Sequence, residues 1–240
     1  PVDIQNTTID NYSTDKLLWW KKKPINYLYP GEYRDIVDKI KQSKRPLLLL
    51  GQGVKLAGGQ KEAKKLVDSL QIPFVVSWGG FDTIPHNHPL FVGDIDANEI
   101  YKDRGIKIDL PIVKDAQEFL ESMLSFTEKI ELNKEWLGHI TQWKNLKEKR
   151  EVQNDILTSY EFLEELDNHL PGNSTIIPDE GGNLVWTMQS IKIKDKQKLY
   201  SNFGNSSMGY GLPSAIGACM ANEGPVVCID GDGGFQMNIQ

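Results

Sequence analysis

Cysteine, histidine and positive charge are all scarce in this chain, and each shortage closes a class of function. Of 240 residues, two are cysteine and four are histidine. Cys219 and Cys228 both fall in apolar segments, where reduced core thiols are expected rather than a disulfide or a metal pair. No Ser/His/Asp or Cys/His constellation can be assembled from so few histidines. His86 and His88 flank Asn87 in a proline-bounded stretch, which reads as a surface turn, because a metal site needs more converging ligands. Lysine and arginine number 27 against 33 acids, a net charge of −6 with a pI of about 5.3, which argues against a nucleic-acid partner. The lysine-rich stretch from Lys144 to Arg150 alternates with acids and reads as a solvated helix face. No apolar run approaches the ~20 residues of a membrane span and no signal-peptide pattern is visible, so a cytoplasmic location is expected. Leu17 to Lys23 puts two tryptophans beside three lysines and reads as a linker docked on a domain rather than a membrane-surface segment.

What is present is a chain long enough for one large domain or two ordinary ones. Residues 1–30 lack steady periodicity. From Tyr33 a helix is expected to about Ser43, then a buried strand over Pro46–Leu50 ending at Gly51-Gln52-Gly53. An amphipathic helix follows over Gly58–Leu70, and a second apolar strand over Ile72–Ser77. That order indicates a parallel sheet with crossover helices, an α/β fold. Asp115–Phe126 and Lys134–Glu151 are helical, the latter with Trp136 and Trp143 on one stripe. Ser159–Leu170 is a further helix and Ser174–Pro178 a further strand. The Gly51-Gln52-Gly53 turn lacks the third glycine of a dinucleotide fingerprint, since Leu56 holds that position, and no acid closes the next strand at Ser77-Trp78. NAD is therefore not expected.

The chemistry concentrates near the end. In Val226-Val227-Cys228-Ile229-Asp230-Gly231-Asp232-Gly233-Gly234-Phe235 a short apolar run stops at acids held between glycines. A buried parallel strand delivers carboxylates to the carboxyl edge of a sheet in this way, and ligands of open α/β folds bind at that edge. Glycines let a backbone approach a bulky anion, and a carboxylate is the hard oxygen ligand that Mg²⁺ prefers. Alone, Gly-Asp-Gly also describes an ordinary turn. Upstream, Asn205-Ser206-Ser207-Met208-Gly209-Tyr210-Gly211-Leu212-Pro213-Ser214-Ala215-Ile216-Gly217-Ala218 is a glycine-rich turn leading into a helix of small residues. Asp179-Glu180-Gly181-Gly182-Asn183 closes the strand before it and marks the same edge. Within that loop Glu180 reads as a cap or a solvated carboxylate rather than a catalytic acid.

Together these segments resemble the diphosphate-binding domain of thiamine diphosphate enzymes of the acetolactate synthase-like group. Met208 and Asp232 stand 24 positions apart, a close match to the family's spacing. The resemblance implies that Asp232 is a Mg²⁺ ligand and that Gly231, Gly233 and Gly234 lie against the cofactor diphosphate. Met208 matches the apolar residue that wedges between the cofactor rings. Ser206 matches a position whose backbone carbonyl accepts from the 4′-amino group. By the same resemblance, Gly181 and Asn183 lie in a further loop that would contact the diphosphate. There Gly182 and Asn183 stand where acetolactate synthases place glutamine and histidine, a departure from the strict pattern.

The strand-Gly-x-Gly-helix opening resembles the central, Rossmann-like domain of the same family, on which some members carry FAD, so FAD stays open. The implied fold is two doubly wound parallel-sheet domains. Residues 1–30 would be a linker from a pyrimidine-binding domain, 31–127 the central domain, 128–155 a helical connector and 156–240 a truncated diphosphate-binding domain. Between Gly93 and Asp94 the resemblance leaves out at least one βα unit, about 30 residues or more. Either the chain is a compact variant or it joins segments separated in the polypeptide, and the second is the expectation. The catalytic side chain implied, an activating glutamate, belongs to the pyrimidine-binding domain and has no counterpart in these residues.

The implied activity is a thiamine diphosphate- and Mg²⁺-dependent decarboxylase or carboligase on a 2-oxo acid such as pyruvate, working as a homodimer or homotetramer. Two alternatives stay open. One is a catalytically silent homologue serving as a structural or regulatory subunit. The other is a phosphate-binding α/β protein without thiamine.

Overall fold

Two parallel sheets, each of three strands, organise the chain in the computed structural model, which describes residues 28–95, 110, 112, 114–127, 134–145, 156–221 and 224–240. Residues 1–27 of the proposed 1–30 linker, with its two tryptophans, the stretch Asp96–Ile100, and the end of the connector helix beyond Asn145 lie outside the described residues.

The first sheet follows from alternating apolar runs and amphipathic helices. Helix α1 (Pro30–Gln42) opens earlier than the periodicity predicted. Proline at its first position costs no hydrogen bond, and Glu32 reaches back to accept the Tyr29 N–H at 2.7 Å. Strand β1 (Leu48–Leu50) lies beside β2 (Phe74–Ser77), and β2 beside β3 (Phe91–Ile95), all parallel. β1 starts two residues later than expected, with the Pro46 carbonyl taken by the Trp136 indole N–H at 3.0 Å. The run is also not buried throughout: Leu50 is in the core, but Leu49 is 40 % exposed. β3 crosses the Gly93–Asp94 junction as one strand, with Gly93 opposite Val75 and Asp94 opposite Val76.

Between β1 and β2 the chain makes a short helix α2 (Gln52–Leu56), turns at Gly58 with φ of 75°, and forms α3 (Gln60–Leu70). The predicted helix over Gly58–Leu70 thus loses its first two residues to that turn. α3 buries Ala63, Leu66, Val67 and Leu70 and packs on α4 (Ala116–Leu124), whose Asp115 cap accepts the Glu118 N–H at 3.1 Å. Helix α5 (Lys134–Asn145) docks through Trp136, which is 8 % exposed and meets Trp143 edge-on at 5.6 Å.

The surface-turn reading of His86 and His88 is corrected. The turn is there, but both rings are packed. His86 stacks on Phe91 at 4.1 Å, meets Phe81 edge-on and donates from Nε2 to the Phe81 carbonyl at 2.9 Å. Burial pushes its pKa down to about 4. The His88 side chain, 8 % exposed, lies against Phe74 and 3.0 Å from Asp68. Aromatic packing decides both, of His86 between Phe81 and Phe91 and of His88 against Phe74.

The second sheet has the order β5-β4-β6, with β4 (Thr175–Pro178) between β5 (Lys198–Leu199) and β6 (Val226–Ile229). Around it lie α6 (Ser159–His169), opened by a reciprocal Thr158–Glu161 cap, α7 (Gly182–Ser190), α8 (Gly211–Ala221) and the short α9 (Asp232–Met237). The two units touch. The His86 N–H donates to the Ile193 carbonyl at 3.0 Å. Lys55 and Asp82 form an ion pair at 2.8 Å, with side chains 17 % and 5 % exposed. This pair meets the outer edge of β5: Lys55 donates to the Leu199 carbonyl at 2.9 Å, and Asp82 accepts the Leu199 N–H at 3.0 Å. The core thiol expectation holds less well for Cys219, which is exposed on α8, than for half-buried Cys228, and both are free.

Candidate functional site

The pairing of β4 with β6 builds the site. Pro178 stands opposite Ile229, so the next residues, Asp179 and Asp230, emerge side by side at the carboxyl edge, and the Asp179 N–H extends the ladder to the Ile229 carbonyl at 2.8 Å. Asp179 is 1 % exposed and spends both oxygens on the glycine-rich loop, accepting the Gly209 N–H at 2.9 Å and the Gly211 N–H at 2.8 Å. Neither oxygen of Asp230 has a donor among the described residues, although both are buried. Its pKa is raised, first by burial and then by the charge of Asp179 beside it. Cys228, two residues earlier along β6, is pushed up to about 11 by burial and by the same two carboxylates.

Close approach explains two glycines here. A Cβ on Gly234 would overlap a carboxylate oxygen of both Asp179 and Asp230. Gly209 has φ of 86°, and its carbonyl accepts from Asn238 at 2.6 Å, so the loop is fastened to the end of α9 as well.

The residues singled out from the sequence come to this edge. Asp232 opens α9, exposed, with Oδ1 accepting the Gly233 N–H at 2.9 Å. Gly231 lies against Asn183: a Cβ there would sit 3.2 Å from the Asn183 amide nitrogen. Met208, 53 % exposed although apolar, points its methyl at Gly233, within 3.9 Å of where a Cβ would stand. Gly181, with φ of 78°, turns the chain from β4 into α7. Ser206 holds φ of 53°, a left-handed conformation that costs a non-glycine residue about 1 kcal/mol.

Three features escaped the sequence reading. Asp179 is the anchor of the loop; its signal was present, an acid at each of two strand ends in register. Glu180 is not solvated: it is 7 % exposed and accepts the Ser206 hydroxyl at 2.6 Å. It lies in the bend just past the end of β4, and the loop over 206–211 bonds to it and to Asp179. The Trp186 ring folds back over Gly182, so close that a Cβ would meet it at 2.6 Å. Position 182 thus has no room for a longer side chain while Trp186 keeps this rotamer.

Parallel strands ending in acid-and-glycine loops around one apolar residue form the edge at which ligands of open α/β folds bind. Residues 179–240 match the family described as thiamine pyrophosphate enzyme, C-terminal TPP binding domain, and residues 33–99 match thiamine pyrophosphate enzyme, central domain. The chain belongs to the thiamine pyrophosphate (thiamine diphosphate) enzymes, carrying these two domains. It is 28 % identical over 311 residues to a probable acetolactate synthase large subunit of Methanococcus aeolicus, covering 100 % of this chain and 51 % of the relative. It is 26 % identical over 261 residues to the acetolactate synthase large subunit of Lactococcus lactis, covering 87 % of this chain and 44 % of that protein. Isozyme 3 large subunit of Escherichia coli is 24 % identical over 272 residues, 90 % of this chain and 47 % of the relative. The chain thus spans about half the length of the curated relatives it matches. Among the described residues no helix is long and apolar enough to cross a membrane.

Proposed function

We propose that this chain forms the diphosphate and Mg²⁺ side of the cofactor site in a thiamine diphosphate-dependent decarboxylase or carboligase acting on a 2-oxo acid such as pyruvate. The β4–β6 register supports this most, because it sets two acid-and-glycine loops and the Met208 turn against one another at one edge. The residues suit the group. Asp179, Glu180, Asp230 and Asp232 make the edge strongly acidic, so an anionic diphosphate needs a divalent cation between itself and the protein. Asp232 offers an exposed carboxylate for that ion. Among the described residues no three His, Cys, Asp or Glu side chains converge on a metal position, and the bound diphosphate would supply further oxygen ligands to the ion.

When bound, thiamine diphosphate supplies the carbon nucleophile and electron sink that let a 2-oxo acid lose CO₂. The chain's own residues bind and orient. Asp232 holds the cation, while Gly181, Asn183, Gly231, Gly233 and Gly234 leave room and donors for the diphosphate. Met208 gives an apolar support for the rings, and the Ser206 carbonyl receives an amino group. The activating glutamate in this reading comes from the pyrimidine-binding domain of a second copy in a homodimer or homotetramer, outside these 240 residues.

The test is binding and turnover by the full polypeptide. Thiamine diphosphate with Mg²⁺ should bind, pyruvate should release CO₂, and chelation or Asp232→Ala should abolish both. Binding without turnover of any 2-oxo acid would instead favour the silent homologue. Equal affinity for unrelated diphosphates would sink the thiamine reading altogether.

A further inference from the structure

Glu180 is a buried side chain at this edge to which the proposed function gives no task beyond its charge. It is 7 % exposed. One oxygen accepts the Ser206 hydroxyl at 2.6 Å, and the other, equally shielded from water, has no donor among the described residues. A buried carboxylate oxygen without a donor is costly, and such groups are rare unless a ligand or function accounts for them. The partner is equally unusual. Ser206 adopts φ of 53°, its N–H donates to the Asn202 carbonyl at 2.8 Å, and Met208 lies two residues on. The loop is therefore tied at successive points to successive residues of one strand end: Ser206 to Glu180, Gly209 and Gly211 to Asp179.

We propose that Glu180 is a positioning residue for the aminopyrimidine end of the cofactor: it locks the Ser206 turn so that the Ser206 carbonyl faces the 4′-amino group, and its second oxygen lies in reserve for an N–H of the bound ligand. The inference rests on the thiamine diphosphate reading of the site. It assigns to Glu180 a share in telling an amino group from an oxo group at the 4′ position. Ser206→Ala removes the donor that Glu180 holds, and Glu180→Leu removes the acceptor. Glu180→Gln retains a carbonyl oxygen for the Ser206 hydroxyl.

The test is a fluorescence titration of the full polypeptide, in Mg²⁺, with thiamine diphosphate and with oxythiamine diphosphate, whose 4′-amino group is replaced by oxygen. The expected result is that wild type prefers the amino compound, and that Glu180→Leu weakens its Kd about tenfold while losing most of the preference. Ser206→Ala should behave alike, and adding it to Glu180→Leu should cost little more. Glu180→Gln keeps the Ser206 bond but puts an amide donor where the reserved acceptor stood, so it should recover only part of the affinity and little of the preference, and its folding guards against a variant that fails only through misfolding. Should both Glu180 variants bind the two compounds as wild type does, the positioning role is overturned while the cofactor site stands. If wild type binds neither compound, both the site reading and this inference fall.

Discussion

Removing Asp82 should destabilise the protein far more than removing it together with Lys55. Asp82 lies 2.8 Å from the Lys55 ammonium with its side chain 5 % exposed, and it also accepts the Leu199 N–H at 3.0 Å. Lys55 in turn donates to the Leu199 carbonyl at 2.9 Å and sits 4.0 Å from the Tyr200 ring centre. Asp82→Leu alone strands a poorly solvated ammonium and an unpaired backbone N–H, and breaking one partner of a buried pair costs about 3–5 kcal/mol. Lys55→Met alone leaves the carboxylate with a single N–H donor and belongs in the same range. The double variant loses no charge balance. It forfeits chiefly the two side-chain bonds to Leu199, about 1–3 kcal/mol. The coupling energy should therefore exceed about 2 kcal/mol. Urea unfolding of the four proteins, followed by tryptophan fluorescence and circular dichroism, measures it directly. Single losses that simply add, with coupling below about 0.5 kcal/mol, would show that the pair does not act as one unit.

His86 supplies a pH dependence. Its imidazole is held at about 4 against an ordinary 6.5, so the native state binds the proton less well than the unfolded chain. Its effect is absent well above pH 6.5, and stability is lost as pH falls through 6.5 toward and below 4, by about 3 kcal/mol in all. Subtracting the stability curve of His86→Leu isolates this term, and a difference that stays flat between pH 7 and 4 would refute it. Gly182→Gln should cost about 1–3 kcal/mol through collision with the Trp186 ring. Trp186→Ala in the same protein should restore the loss, and thermal midpoints compare the two; no rescue would mean that the ring is not the obstacle. At pH 8 a thiol held at about 11 is almost wholly protonated, so Cys228 should react slowly with a disulfide reagent. Exposed Cys219 should react first, and single serine variants assign the phases; equal rates would contradict the shielding of Cys228.

The parts of this fold that could be read in the sequence are those whose cause is local. Apolar runs gave β1, β2, β4 and β6, and the acids and glycines at their ends marked the ligand edge. Prolines, caps and left-handed turns then moved the boundaries by a few residues, as at Pro30 and Gly58. The site was legible as a motif, from Met208 to Gly234, because glycine spacing and a hard oxygen ligand have few other uses together. Its scaffold was not legible. Asp179 bonds to Gly209 and Gly211, Glu180 to Ser206, and Lys55 and Asp82 to Leu199, over separations of 26 to 144 residues. No periodicity carries such pairings. They arise when two sheets and a loop are brought together, and only then does a carboxylate like Glu180 become buried.

The double fastening of the loop over 206–211 bears on how a ligand would be received. A segment tied to Asp179 and to Asn238 before any ligand arrives has already surrendered most of its freedom. Association then has little chain left to order, so its entropy penalty is small. The heat-capacity change should follow the apolar surface covered at Met208 rather than the folding of a loop. Affinity differences among loop variants would accordingly show in residence time more than in the rate of capture.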